Sequence, residues 1–137
     1  MKNIFKGLAV FILILAANQI AAQTDTVNFT LNSEKINTHG QEVVVASTVK
    51  KTGNMLVWNQ QTDHGVNAKE FAIVSNSGNW NQELSTGSIT YNMVIDELAC
   101  SFVLTGQQNG LSAVLTISIS DTEQREVLIH IDNITYP

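Results

Sequence analysis

The chain has one cysteine, Cys100, and one proline, Pro137, among its 137 residues. A lone cysteine excludes an intramolecular disulfide, so the fold must depend on its hydrophobic core. Basic residues are also scarce, with 7 Lys and Arg against 12 Asp and Glu. This acidic balance argues against nucleic acid or an anionic membrane surface as the partner.

Long apolar runs are absent except at the N-terminus. That run covers residues 8–17, follows Lys2 and Lys6, and precedes the small residues Ala21 and Ala22. It is about half as long as the ~20 residues that a membrane-spanning helix needs. The pattern predicts a signal peptide over residues 1–22, cleaved after Ala22, and therefore a secreted or periplasmic protein, with a bacterium as the expected host. An uncleaved anchor or a buried N-terminal helix is the alternative.

Cleavage would leave residues 23–137, enough for one domain with a hydrophobic core and too few for two. No later segment is apolar enough to span a membrane, so we expect no membrane insertion after cleavage. The loss of Lys2 and Lys6 changes the formal net charge from −5 to −7. Asn, Gln, Ser and Thr supply most of the polar surface, which suits hydrogen bonding better than electrostatic steering.

Apolar and polar residues alternate along the whole mature chain, and Gly, Asn, Asp and Ser separate the alternating segments. A period of two indicates half-buried β-strands, and no segment shows a sustained helical period. The segment 60–69 is predicted as a loop, and residues 76–79 are predicted to end a strand. Predicted strands cover residues 27–31, 41–49, 55–59, 71–75, 89–95, 98–104, 111–119 and 127–134.

Seven to nine short strands at this spacing predict an all-β protein with a single antiparallel β-sandwich domain. The length is that of an immunoglobulin-like sandwich, although the Cys-Trp-Cys pattern of antibody domains is absent. A small antiparallel β-barrel is the alternative fold, because it has the same alternation and the same short connections.

No constellation of residues predicts catalysis, a metal site or a cofactor. His39 and His64 lie in predicted loops, and His130 and Asp132 are only two ligands on one strand face. Cys100 shares its alternation phase with Leu98 and Phe102, which predicts a buried thiol. The adjacent acids Asp96 and Glu97 lie at a predicted hairpin turn and point in different directions. We therefore expect a protein that is not an enzyme.

One short repeat predicts a binding site. The only two tryptophans begin the same triplet, Trp58-Asn59-Gln60 and Trp80-Asn81-Gln82. An indole face can stack on a sugar ring, and neighbouring amides can donate to and accept from its hydroxyls. These six residues are the predicted ligand-binding residues. The alternative is that both indoles belong to the core and the amides beside them are merely solvated.

Two functions follow as expectations from the sequence. The first is an exported, non-catalytic binding or adhesion module whose partner is a neutral glycan or another exported protein. The second is a structural or assembly protein of an extracellular fibre or surface system, acting through β-strand pairing. The sequence leaves the oligomeric state open.

Overall fold

The computed structural model describes residues 27–137, so the predicted signal peptide lies outside the described residues. The described part of the chain forms nine β-strands joined by short turns. The strands are β1 (Phe29–Thr38), β2 (Gln41–Thr52), β3 (Met55–Thr62), β4 (Gly65–Asn81), β5 (Thr86–Ile95), β6 (Leu98–Gln107), β7 (Gly110–Ser118), β8 (Gln124–Ile131) and β9 (Asn133–Thr135).

The strands form a closed antiparallel barrel. Each of β1 to β8 pairs with its neighbour in sequence, and β1 also pairs with β8, which closes the sheet. The short strand β9 continues the line of β8 on β1. His130 of β8 lies opposite Lys35, and Asn133 of β9, three residues further on, lies opposite Asn32.

The all-β prediction is therefore confirmed, and the alternative fold, the barrel, replaces the predicted sandwich. Inward and outward residues alternate in the same way in both folds, so the sequence pattern does not distinguish them. The difference lies in the partners of β1. Because β1 pairs with both β2 and β8, there is one continuous wall in place of two facing sheets.

Apolar side chains fill the interior of the barrel. An eight-stranded barrel is just wide enough for its inward side chains to fill it. Each fully buried Leu or Phe contributes about 1.5–3 kcal/mol through removal from water. The buried apolar residues are Phe29, Leu31, Ile36, Val49, Leu56, Trp58, Phe71, Ile89, Tyr91, Met93, Cys100, Phe102, Leu104, Ala113, Leu115, Ile129 and Ile131.

Two of the turns have both of their central residues in the left-handed region of φ. His39 (φ 54°) and Gly40 (φ 74°) join β1 to β2, and Asp96 (φ 48°) and Glu97 (φ 68°) join β5 to β6. Positive φ at both central residues is the requirement of a type I′ hairpin turn, whose twist matches that of the strands. The predicted hairpin turn at Asp96 and Glu97 is confirmed.

The predicted loop at 60–69 is wrong, because these residues are strand on both sides of a tight turn. Gln60 lies opposite Asn67, and Thr62 lies opposite Gly65. The hydroxyl of Thr62 accepts a hydrogen bond from the His64 backbone N–H (3.3 Å) and donates to the Gly65 carbonyl (2.8 Å). All residues from 61 to 70 are exposed. A hairpin exposed on both faces lacks the alternating pattern that the prediction relied on.

The predicted end of a strand at 76–79 is also wrong, since β4 continues to Asn81. Residues 65–72 of β4 pair with β3, and residues 72–81 pair with β5 apart from a register shift between Ile73 and Ser75. Only Ala72 pairs with both neighbours. The first part of β4 and the end of β3 therefore extend beyond β5 as an arm, residues 59–70. Asn59 and Gln60 of the arm still pair with β2, whereas residues 61–66 form a two-stranded tip.

Candidate functional site

A cleft lies between the arm and the wall formed by β2, β1 and β9, and both inward-phase and outward-phase residues line it. Its volume is about 680 Å³. Most of its residues alternate with inward-facing ones, such as Asn32 after buried Leu31 and Thr48 before buried Val49. The cleft is lined by Asn32, Ser33, Glu34, Ala46, Ser47, Thr48, Asn59, Gln60, Gln61, Val66, Asp132 and Asn133.

A local break in the wall forms one side of the cleft. On β1, inward-facing residues alternate as far as Ser33, but the next inward-facing residue, Ile36, is three positions further on. The same shift by three positions separates Ile131 of β8 from the half-buried Ile134 of β9. At this level Asp132 Oδ2 accepts a hydrogen bond from the Glu34 backbone N–H (3.0 Å). The Asp132 backbone N–H donates to the Asn32 carbonyl (2.8 Å), so both chains stay joined across the break.

Five amide side chains dominate the polar surface of the cleft. Asn32 and Asn133 are linked by a hydrogen bond from Nδ2 to Oδ1 (2.7 Å), which fixes the orientation of both amides. Asn59, Gln60 and Gln61 follow one another on β3. Each amide offers two donors and a carbonyl acceptor. Glu34 and Asp132 add two carboxylates and no Lys or Arg lines the cleft, so its charge is negative.

Two buried polar atoms lie next to this cleft without a hydrogen-bond partner among residues 27–137. They are the hydroxyl oxygen of Ser47 and the indole Nε1 of Trp58. Ser47 lies opposite Gln60, and Trp58 is the next inward residue on the same strand. A buried polar group without a partner costs about 1–3 kcal/mol. Of these two residues, only Ser47 lines the cleft. Ser33, beside them, does have a partner, since its hydroxyl donates to the Lys35 carbonyl (2.8 Å).

The first predicted triplet lies at this cleft, but in a different arrangement from the one expected. Asn59 and Gln60 line the cleft and are half-buried. Trp58 is only 6% exposed and belongs to the core cluster, so its ring face is packed against other side chains. The amides of this triplet are therefore accessible to a ligand, whereas the indole is enclosed by the core and does not line the cleft.

The second triplet lies at the other end of the barrel. Trp80 is half-buried near the end of β4, and its Nε1 donates to the Tyr136 hydroxyl (3.1 Å). Asn81 Oδ1 accepts from the Leu84 backbone N–H (3.0 Å) in the turn that follows, and Gln82 is exposed. The two triplets do not form a common site, since the turns at the two ends of β4 are at opposite ends of the barrel.

The residues considered for chemistry are also dispersed. Cys100 is buried as predicted, and burial raises the pKa of its thiol above the ordinary value, while a hydrogen bond with the Ile95 backbone opposes this change. His39 and His64 lie in separate turns, and Asp132 is held by the backbone of Glu34. Within residues 27–137, no three His, Cys, Asp or Glu side chains are grouped so that they could hold a metal ion.

Lys51 is the most unexpected side chain of the interior. It is only 2% exposed, its Nζ donates to the Val27 carbonyl (2.6 Å), and it lies 5.5 Å from the centroid of the Tyr91 ring. The sequence placed it in a turn after β2. Its inward position follows the alternation of Ser47 and Val49, which was the available signal.

The sequence reasoning missed most of the cleft. Asn32, Gln61 and Asn133 carried no local signal. Asn32 and Asn133 lie on β1 and β9, which are about a hundred residues apart in the chain, and only barrel closure brings them together. Gln61 was assigned to a loop. Asn59 and Gln60 line the cleft and belong to the first copy of the repeated triplet.

The fold and this cleft define a small closed antiparallel β-barrel with a polar, amide-lined groove beside β1, β2, β3 and β9. No known protein-family model matches the chain, and no curated protein matches it significantly in sequence. Within residues 27–137, the structure has no helix whose length and apolar character would let it cross a membrane.

Proposed function

We propose that this is an exported, non-catalytic binding module that holds a neutral glycan in the cleft between the arm and the wall of β2, β1 and β9. One observation carries the proposal: five amide side chains from three strands meet in a single groove. They are Asn32, Asn59, Gln60, Gln61 and Asn133.

The chemistry of the groove suits sugar hydroxyls. A hydroxyl both donates and accepts, and an amide pairs with it in either direction. The carboxylates of Glu34 and Asp132 accept from hydroxyls and repel anionic ligands, which favours neutral saccharides over uronic or sialic acids. No aromatic side chain lines the groove, so hydrogen bonds, and not stacking, would supply the specificity.

The two unpaired polar atoms support the same proposal. Ser47 lines the cleft, and its hydroxyl and the indole N–H of Trp58 have no partner among the described residues. A ligand hydroxyl that enters the cleft beside Ser47 gains a partner that solvent-exposed surfaces do not offer. Hydrogen bonds made away from bulk water discriminate strongly between ligands that satisfy them and ligands that do not.

The test is a titration of the ¹⁵N-labelled processed protein with neutral hexasaccharides of glucose (β-1,4 and α-1,4), N-acetylglucosamine, mannose and xylose. Side-chain NH₂ resonances of Asn59 and Gln60 should shift with at least one of them. A hexamer of galacturonate should bind more weakly, because of the negative charge of the cleft. Saccharide at about 10 mM detects binding free energies down to about 3 kcal/mol.

The repeated triplet supplies the matched control. Gln60→Ala should weaken binding about 5-fold, the value of one hydrogen bond of about 1 kcal/mol, whereas Gln82→Ala should leave it unchanged. If no neutral saccharide shifts these resonances, or if both variants weaken binding equally, the proposed site is wrong. Stronger binding of galacturonate would contradict the electrostatic argument.

A further inference from the structure

The cleft is longer across the strands than along them. Its lining comprises residues 32–34 of β1, 46–48 of β2, 59–61 of β3 and 132–133 at the start of β9, with Val66 of β4 beyond them. Four neighbouring strands about 4.8 Å apart span about 14 Å, whereas three residues along one strand span about 7 Å. The cleft is therefore a trough that crosses the strands.

One row of polar side chains runs along this trough. Asn32 lies opposite Asn133 on one side and opposite Thr48 on the other. Thr48 lies in turn opposite Asn59. Directly opposed residues share a face of the sheet, so these four form a continuous row. Because all four line the same cleft, this part of the wall does not curve away from a ligand that extends from β9 to β3.

Every member of the row can pair with a sugar hydroxyl, because amides and hydroxyls both donate and accept hydrogen bonds. The hydrogen bond from Asn32 Nδ2 to Asn133 Oδ1 (2.7 Å) leaves the carbonyl of Asn32 and the NH₂ group of Asn133 for a ligand. Successive strands are about 4.8 Å apart, which is close to the length of one sugar residue in an extended chain. The row therefore offers one hydroxyl partner for each successive sugar.

We infer that the cleft binds a linear, extended oligosaccharide that lies across β9, β1, β2 and β3 with one sugar residue at each strand. The inference rests on the proposed function and names the class of glycan, a β-1,4-linked chain bound along its length. In such a chain the sugar residues follow an almost straight line and match the row. α-1,4 linkages turn the chain, so its successive residues leave the row.

A second polar row elsewhere on the barrel provides a matched control. Asn92 lies opposite Ser75 on one side and opposite Ser101 on the other, and Ser101 lies opposite Thr116. Asn92 Nδ2 donates to Ser75 Oγ (3.0 Å), so an amide is fixed by its neighbour here as well. None of these four residues lines the cleft. The residue types and their arrangement are similar, and only the cleft differs.

The dependence of affinity on chain length tests the inference. The ¹⁵N-labelled processed protein is titrated with β-1,4-linked oligomers of glucose, N-acetylglucosamine and xylose, each from two to six residues long. For the sugar that binds, each residue added up to the fourth should strengthen binding about 5-fold, the effect of one hydrogen bond. The fifth and sixth residues should add nothing. The α-1,4-linked glucose hexamer should bind more weakly than the β-1,4-linked hexamer.

Three variants locate the chain on the row. Asn59→Ala removes the last member, so affinity should stop rising at three residues instead of four. Thr48→Val removes a central hydroxyl and should weaken binding while the limit stays at four, and Asn92→Ala should change nothing.

The outcomes separate this inference from the proposed function. Affinity independent of chain length, equal or stronger binding of the α-1,4 hexamer, or a limit that stays at four residues in Asn59→Ala overturns the inference and leaves the glycan site standing. If no neutral saccharide binds, both are overturned.

Discussion

At Gly106 on β6, the neighbouring atoms leave no room for a side chain. A Cβ atom there would lie 2.7 Å from Cη2 of Trp80 and still closer to the Ser85 carbonyl oxygen. The same packing leaves Trp80 half-buried, with its N–H bonded to the Tyr136 hydroxyl, which also bonds to the Ser85 hydroxyl (2.8 Å). The absence of a side chain at Gly106 therefore leaves the space that the Trp80 indole occupies.

Gly106→Ala should lower the free energy of unfolding by about 1–3 kcal/mol, the usual cost of overpacking, and should shift the Trp80 indole N–H resonance. Urea denaturation and ¹⁵N NMR measure the two effects. Gly110→Ala is the control, because its Cβ would meet nothing within 4 Å. It should carry backbone strain but leave the indole resonance in place. An unchanged Trp80 resonance in Gly106→Ala would contradict the packing argument.

Residue by residue, the sequence predicts burial better than it predicts sites. Cys100 is in the core as the alternation indicates. Trp58 and Trp80 begin identical triplets, yet one indole is enclosed by the core and the other bonds to Tyr136. A triplet specifies side-chain chemistry, whereas the strand and the end of the barrel on which it lies specify its surroundings.

Hairpin turns are the elements that the sequence places most accurately. Asp96 and Glu97 were identified by their polar character between two alternating runs, and both adopt positive φ. The natural residues are not the best for this geometry, since a type I′ turn favours Asn followed by Gly. Substitution of these two residues by Asn and Gly should therefore stabilise the hairpin of β5 and β6.

Asp96→Asn with Glu97→Gly should raise the free energy of unfolding by about 0.5–1 kcal/mol, because both residues adopt positive φ at lower cost. Equilibrium urea denaturation measures this change. Asp121→Asn with Glu123→Gly is the matched control in the β7–β8 loop, where neither residue has positive φ, and it should not stabilise the protein. Equal stabilisation by both double variants would show that charge removal, not φ, is responsible.

The arm formed by β3 and β4 is the element that the sequence could not reveal. Its residues from 61 to 70 are exposed on both faces, so no apolar alternation marks them. The pairing of Gln60 with Asn67 depends on the tight turn at Asp63 and His64. The arm forms one side of the cleft, and the candidate site was incomplete without it.

For the whole molecule, stability should be graded from the closed wall to the open edges. β5, β6 and β7 pair on both sides along most of their length. Residues 41–44 and 65–70 pair on one side only, and residues 45–46 form a bulge. Backbone amides that face a free edge need no unfolding of the barrel in order to exchange with solvent.

Native-state hydrogen exchange should resolve this gradient. Amides of β6 and β7 should exchange only through global unfolding, and alternate amides of residues 41–44 and 65–70 should exchange orders of magnitude faster. Uniform protection would contradict the open edges.

The sequence by itself determined an all-β chain, most of its strands, several of its turns and its apolar interior, because period-two alternation and turn residues are local properties. Only the tertiary structure decided that β1 pairs with β8 as well as β2, which makes the fold a barrel and not a sandwich. It also decided that Asn32, Asn59 and Asn133 share one cleft. Closure joins strands about a hundred residues apart, and no local pattern records which distant strand completes the wall.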